Sequence, residues 1–352
     1  MTPFVGPEQL MRESGRTALL RLGANESAFG PSPKAVAAMS QELERLSWYG
    51  DPESLDLRDA LAAKHRCSPE QIVVASGIDD VMGLAVRAFV GPGGTALTTR
   101  GTYPTLVYHV AGYGGRTVYA SYRSDGTIDV DALLEIARRE RPSLVYLANP
   151  DNPSGSFLSR GEIRRFYDEL PHDSLFLLDE AYADFVDEER LLEPFFDDRL
   201  IRMRTFSKAY GMAGARIGYA IATASNVQTF QKIRLHYGVN RNAQIGALAS
   251  LQDETFRCHV VDETKRARED YYALARELGL GCIESCTNFA CIDLGTAERA
   301  TSVMNELLRR GVWIRKPGAP PLDRYVRVSA GTAEMRAQFA RAFRAVLTEA
   351  SV

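Results

Sequence analysis

The sequence predicts an α/β fold with a mostly parallel central sheet in a large domain, plus a smaller α+β domain. Short apolar runs alternate with helical patterns from residue 71 onward, as βαβ units require. The central runs are apolar throughout rather than alternating, as in strands covered on both faces. After about Ala243 the pattern shifts to long helical stretches and then shorter strands. We place the large domain at 35–243 and assign 244–352, together with 1–34, to the small domain and N-terminal segment.

The first 30 or so residues are rich in Gly and Pro and predict irregular structure. Ser32 followed by Pro33 reads as an N-cap with proline in the first turn, and predicts a helix over 34–46. A second helix follows Ser54 through LDLRDALAAKH. IVVAS (72–76) is a strand bounded by Gly77, after which Val81, Leu84, Ala85, Ala88 and Phe89 recur at helical spacing. TALTT (95–99), RTVYA (116–120), LVYLA (144–148), LFLLD (175–179), IRMRTF (201–206) and RIGYAIA (216–222) continue the strands. Helices are expected from Tyr103, over 129–140 and near 159–169. Helical patterns then run through 246–278, followed by strands NFACIDL (288–294), VWIRK (312–316) and YVRVSAG (325–331). A helix near 297–310 separates the first two of these, and a terminal helix covers roughly 333–349.

A chain of 352 residues with net charge −3 can bury a sizeable core. It gives no bulk electrostatic reason to expect nucleic acid or an anionic membrane as partner. No apolar run is long enough to span a bilayer. MTPFVGPEQLMRESGR lacks the basic stretch and hydrophobic core of a signal peptide, so a cytoplasmic protein is expected. The five cysteines (67, 258, 282, 286 and 291) are odd in number, and no disulfide is expected. Neither they nor the scattered histidines show metal-ligand spacing, so no metal is expected.

Functional groups in an open α/β sheet gather at the carboxyl ends of the strands. LFLLD ends in Asp179, and LVYLA leads into Asn149-Pro150-Asp151-Asn152-Pro153-Ser154-Gly155. IRMRTF leads into Ser207-Lys208, and IVVAS into Gly77-Ile78-Asp79 at a helix start. A pyridoxal-phosphate site needs a lysine amine, a carboxylate for the ring nitrogen and an anion cradle at a helix N-terminus. It also needs an aromatic cover and an arginine for the substrate carboxylate. This chain offers a candidate for each task. By residue type alone, Asn152 is a turn residue, Tyr103 and Tyr182 are core aromatics, and Arg327 is half of a surface ion pair.

LANPDNPSG, LLDEAYADF, RTFSKAYGMAGARIGY and YVRVSAGT resemble the fold-type-I pyridoxal-phosphate-dependent aminotransferases. RLGANESAFGPSP and YGDPESLDLRDALA bring the likeness closest to the histidinol-phosphate aminotransferase family. It is ordered and runs over nearly the whole chain. The resemblance implies that Lys208 is the Schiff-base lysine and the proton shuttle between Cα and C4′. Asp179 then pairs with the pyridine nitrogen, Asn152 and Tyr182 bond the phenolate oxygen, and Tyr103 stacks on the ring. The backbone at Gly77, Ile78 and Asp79 holds the phosphate with Thr205, Ser207 and Arg216, and Tyr49 reaches it from a neighbouring subunit. Arg327 takes the substrate carboxylate, and Asn25 lies in the segment that closes over the substrate.

Two departures bear on this. Ile78 stands where the family commonly has a serine or alanine, and offers an N–H but no hydroxyl. Arg315 stands near the place of an arginine that would grip a substrate phosphate, and reads equally as a solvated charge beside Lys316. The implied cofactor is pyridoxal 5′-phosphate. The implied activity moves an amino group between an amino acid, or an amino-alcohol phosphate such as histidinol phosphate, and a 2-oxo acid, in a homodimer. The alternatives are other Cα chemistry such as decarboxylation, or cofactor binding without turnover.

Overall fold

The computed structural model describes residues 6–349 apart from Arg16 and Ala18, so the outermost ends of the expected small domain lie outside the described residues. In chain order the first elements are α1 (Pro7–Ser14), β1 (Leu20–Arg21), α2 (Pro33–Gln41), α3 (Leu55–His65), β2 (Ile72–Ala75), α4 (Ile78–Ala85), β3 (Thr95–Thr99) and α5 (Thr105–Gly112). There follow β4 (Arg116–Ala120), α6 (Val130–Glu140), β5 (Leu144–Ala148), α7 (Arg160–Glu169), β6 (Leu175–Asp179), β7 (Leu200–Thr205), β8 (Gly218–Ile221), α8 (Ala224–Gln231) and α9 (Arg241–Leu251). The chain ends with α10 (Glu254–Glu277), β9 (Cys282–Ile283), β10 (Phe289–Asp293), α11 (Ala297–Arg309), β11 (Val312–Trp313), β12 (Tyr325–Ser329) and α12 (Ala333–Glu349).

The central sheet has seven strands in the order β2-β8-β7-β6-β5-β3-β4. Only β8 runs against its neighbours; the other pairs are parallel. Every residue of β2, β5, β6, β7 and β8 is buried, which explains the apolar text of β2, β5 and β8, while β6 ends in Asp179 and β7 carries Arg202, Arg204 and Thr205. One face packs on α4, α5 and α8 through Val81, Leu84, Leu106, Val110 and Phe230. The other packs on α6 and α7 through Leu134, Ile163 and Phe166, and on α3 and α9 through Leu57, Leu61 and Ala247. The β5–β6–β7 register places Ala148, Asp179 and Met203 side by side, so β5 and β6 end level and β7 runs on to Thr205. A second, antiparallel sheet β12-β10-β9 packs with α10, α11 and α12 around Tyr271, Phe339 and Phe343.

Helix starts follow their caps. The side chains of Ser32, Asp129 and Ser159 accept from backbone N–H groups of the first turn of α2, α6 and α7. Four expectations are corrected. The N-terminal 30 residues are not wholly irregular: a proline at the start of α1 is helical rather than disruptive, and β1 exists only by pairing with the distant β11. The helix expected over 34–46 ends at Gln41 and gives way to a single 3-10 turn. The helical patterns expected from 246 begin earlier, at Arg241, as two helices parted at Gln252 and Asp253. The strand expected from Arg216 begins at Gly218, because Arg216 adopts a left-handed conformation, φ 58°.

The turn after Lys208 is fixed by Gly211, whose N–H donates to the Lys208 carbonyl at 3.1 Å. Its φ is +68°, and a Cβ there would lie 2.0 Å from the Gly30 carbonyl oxygen. Gly211→Ala should therefore lower stability by about 3 kcal/mol, read as a fall in the denaturant midpoint. An unchanged midpoint would show that the residue-30 segment does not pack against this turn.

Candidate active site

The carboxyl ends of β5, β6 and β7 and the start of α4 surround one pocket. Every residue that the family resemblance assigns to the cofactor lines it, except Gly77 at its edge and Tyr49. A cleft of about 710 Å³ continues from it past Asn25, Arg315, Lys316 and Arg327.

Asp179, the last residue of β6, is buried. Tyr146 Oη donates to its Oδ2 at 2.7 Å and the Ala181 N–H to its Oδ1 at 2.9 Å. Burial raises its pKa to about 6 against the pull of these two donors. Lys208 follows β7 in the same pocket, its Nζ donating to the Asn25 carbonyl at 3.1 Å. Burial, and then the Arg327 charge, lower its pKa to about 8.

Tyr182 follows β6 and is buried, edge-on to Phe289 at 5.5 Å. Its hydroxyl accepts from Asn25 Nδ2 at 3.0 Å, and burial pushes its pKa up to about 12. Asn152 lies in the loop after β5, where its carbonyl accepts from Tyr103 N–H at 3.1 Å. This bond holds Tyr103 ahead of Pro104, so α5 starts at Thr105 rather than at Tyr103. Asn152 Oδ1 accepts from Arg327 Nη1 at 2.6 Å. Arg327 in turn exchanges backbone bonds with Arg315, whose guanidinium lies 5.3 Å over the Trp313 ring.

At the start of α4, Gly77 has φ +85°, and a Cβ there would meet Arg216 Nη2 at 2.7 Å. The cradle between the helix N-terminus and Arg216 thus has room for backbone only on the protein side. Arg216 also lies 3.4 Å from Asp79 Oδ2, while Asp79 Oδ1 is buried without a hydrogen-bond partner. Thr205 and Ser207 are buried beside the cradle, the Thr205 hydroxyl accepting from Ser207 N–H at 3.0 Å. An anion-holding helix start, a buried amine and a buried carboxylate in one pocket fit a phosphorylated pyridine aldehyde. Tyr49 stands apart from this pocket: it is 77 % exposed and stacks on Tyr237 at 4.5 Å.

The family described as aminotransferase class I and II matches residues 17–343. The chain belongs to the class I and II aminotransferases. Histidinol-phosphate aminotransferase 2 of Carboxydothermus hydrogenoformans is 32 % identical over 351 residues, 97 % of this chain and 94 % of that one. Histidinol-phosphate aminotransferase of Methylobacillus flagellatus is 35 % identical, over 96 % of this chain and 92 % of its own. A crystal structure of histidinol-phosphate aminotransferase from Sinorhizobium meliloti in complex with pyridoxal-5′-phosphate matches with a TM-score of 0.95 at 40 % identity. It covers 99 % of this chain and 96 % of its own.

This aminotransferase uses supporting residues that its sequence did not single out. Tyr146 reads as one more apolar position of β5, yet its hydroxyl is aimed at Asp179. Asp151, buried under the Asn152 loop, accepts from Ser154 N–H and Oγ and from Tyr122 Oη. Asn288 Nδ2 donates to the same Asn25 carbonyl that Lys208 uses, at 3.0 Å. Tyr146 and Asp151 sit inside or beside motifs, but only strand register reveals what their polar atoms meet.

Asp179 titrates near 6 in the fold against an ordinary value of 3.8. Between those values the folded state binds the proton more tightly than the unfolded chain, so this burial subtracts stability as pH rises. In the aminotransferase stripped of cofactor, Asp179→Asn should gain on wild type by up to about 3 kcal/mol between acid and neutral pH. Unfolding midpoints across that range check this. A constant difference would mean that the carboxylate is solvated.

Proposed function

We propose that this aminotransferase binds pyridoxal 5′-phosphate on Lys208 and moves amino groups between a small anionic amino compound and a 2-oxo acid. The observation that carries this is the pairing of a buried amine whose pKa is lowered with a buried carboxylate whose pKa is raised, in one pocket. When bound, the cofactor supplies an aldehyde to carry the amino group and a ring to disperse charge from the substrate Cα. Asp179 is the acceptor for a proton on the ring nitrogen. Asn152 and Tyr182 are the donors for the phenolate oxygen, and Tyr103 covers the ring. The Ile78 and Asp79 N–H groups, Thr205, Ser207 and Arg216 hold the phosphate. Lys208, with a pKa of about 8, has a substantial neutral fraction near neutral pH, so it can take a proton from the substrate Cα.

Arg327 holds the substrate carboxylate. Arg327 Nε is buried without a hydrogen-bond partner, and the bond from Nη1 to Asn152 is one that a substrate carboxylate can compete for. Arg315 and Lys316 extend the cationic wall of the cleft, which favours a donor or acceptor with a second anionic group, and we take histidinol phosphate as the leading donor. The naming of the relatives supports this choice.

A second copy completes the site. Leu43, Leu46, Trp48, Tyr49, Leu235 and Tyr237 are large apolar side chains left exposed on the single chain, the pattern of an uncovered interface. The partner subunit's Tyr49 would then reach the phosphate. Among the described residues no helix is long and apolar enough to cross a membrane, in keeping with the cytoplasmic placement we propose.

The test is turnover of the cofactor-loaded protein with histidinol phosphate and aromatic amino acids, with 2-oxoglutarate as acceptor. Histidinol phosphate should give its carbonyl product and glutamate in equal amounts, and Lys208→Ala should lower the rate by at least about a hundredfold. Release of CO2 from an amino acid without amino transfer would overturn the reading, as would a bound cofactor whose spectrum no donor changes.

A further inference from the structure

On the face of the central sheet turned away from the cofactor pocket, β7 carries two arginines. Successive strand residues point to opposite faces, so Thr205 lines the cofactor pocket while Arg204 faces away, with Arg202 on the same side. The same alternation separates Asp179 from Glu180. Among the described residues Glu180 is the one carboxylate that pairs with either arginine: Arg202 donates to it from Nε at 3.0 Å and Nη2 at 2.7 Å, and Arg204 from Nε alone at 3.0 Å. Two guanidinium groups therefore share one carboxylate, although the side chains of Arg202 and Arg204 are only 8 % and 10 % exposed. The adjacent His65 adds no charge: burial and then Arg204 hold its pKa near 3, and its Nε2 is bonded to Tyr219 Oη at 2.8 Å.

Buried guanidinium donors are ordinarily all used. Neither Nη of Arg204 donates to any acceptor among the described residues. The arginines form part of the wall of a cavity of about 740 Å³, closed on its other sides by Leu191, Phe195, Ile221 and the end of α3. That is the volume of a small-molecule site. Asp187, Glu188 and Glu189 stand exposed at the mouth with Arg66 and Arg190, and Arg160 pairs with Glu193, so the local positive excess is confined to the two arginines that share Glu180. Glu193 lines the same cavity, where its buried Oε2 makes no hydrogen bond but lies in an ion pair with Arg160 Nε at 3.5 Å.

We infer that this cavity is a second binding site, in which Arg202 and Arg204 take the oxyanion, carboxylate or phosphate, of a small metabolite. The two guanidinium groups on one carboxylate, the unused Arg204 donors and the volume of the cavity favour a compact anion with acceptors for a planar fork. The site is separate from catalysis but adjoins it along the backbone. Arg204 is four residues from Lys208, and Glu180 directly follows Asp179.

The experiment is crystallography of the cofactor-loaded protein in selenate, a tetrahedral oxyanion located by its anomalous signal. Wild type should show a peak within hydrogen-bond distance of Arg204 Nη. Arg202→Met should lose that peak, with the cofactor absorption band retained as evidence of an intact fold. Arg202→Gln, which can still donate to Glu180, should lose it too and serves if the methionine variant does not fold. No peak at Arg204 in wild-type crystals whose cleft arginines do bind selenate would overturn the inference. So would a peak of undiminished height in Arg202→Gln.

Discussion

The structure turns on a carboxylate buried at the end of an apolar strand without a cation beside it. Asp179 is held only by a tyrosine hydroxyl and a backbone N–H, and among the described residues it forms no ion pair. Burying such a group is unfavourable unless something compensates. Its raised pKa expresses that cost. In the role proposed for it, a protonated ring nitrogen docked on this carboxylate would remove the penalty. β5 supplies Tyr146, β6 the carboxylate and β7 the approach to Lys208, and parallel register keeps the ends of β5 and β6 level while β7 runs on to Thr205.

A second constraint ties the peripheral segments to this point. Asn25, at φ 54°, accepts from Lys208 and Asn288 through its carbonyl and donates to Tyr182 through its amide. Its own N–H donates to Ser329 Oγ at 2.9 Å. Ser329 ends β12, the strand that also carries Arg327. The N-terminal segment, the second sheet and Lys208 therefore meet at one buried asparagine. A shift of the second sheet would move Arg327 and the contacts of Lys208 together.

The fold was legible where burial dictates composition. TALTT, RTVYA, LVYLA and LFLLD mark their strands residue for residue, and LDLRDALAAKH marks α3: near-complete burial leaves the signal in β3, β5 and β6, and β-branched and aromatic residues leave it in the half-buried edge strand β4. What was not legible depends on partners far along the chain. β1 consists of two residues that pair with β11, and Tyr146 faces Asp179 only through the β5–β6 register. Leu55 N–H is capped by Asp51 at 2.6 Å rather than by the adjacent Ser54. In the site, motif context picked out Lys208, Asp179, Asn152 and Tyr182, and the fold brings all four into one pocket. Tyr49 stays outside it, exposed on the single chain. Arg202 and Arg204 looked like ordinary members of a strand; only the fold shows two guanidinium groups sharing one glutamate.

The role of Asp179 is read most directly from the protonation of the bound ring. Nitrogen NMR of the protein loaded with cofactor carrying 15N in its ring reads that proton. At neutral pH the wild-type signal should be that of a protonated pyridine nitrogen, and Asp179→Asn should shift it to the neutral form. A neutral ring nitrogen in wild type, or a protonated one that survives in Asp179→Asn, would contradict the pairing of the buried carboxylate with the ring.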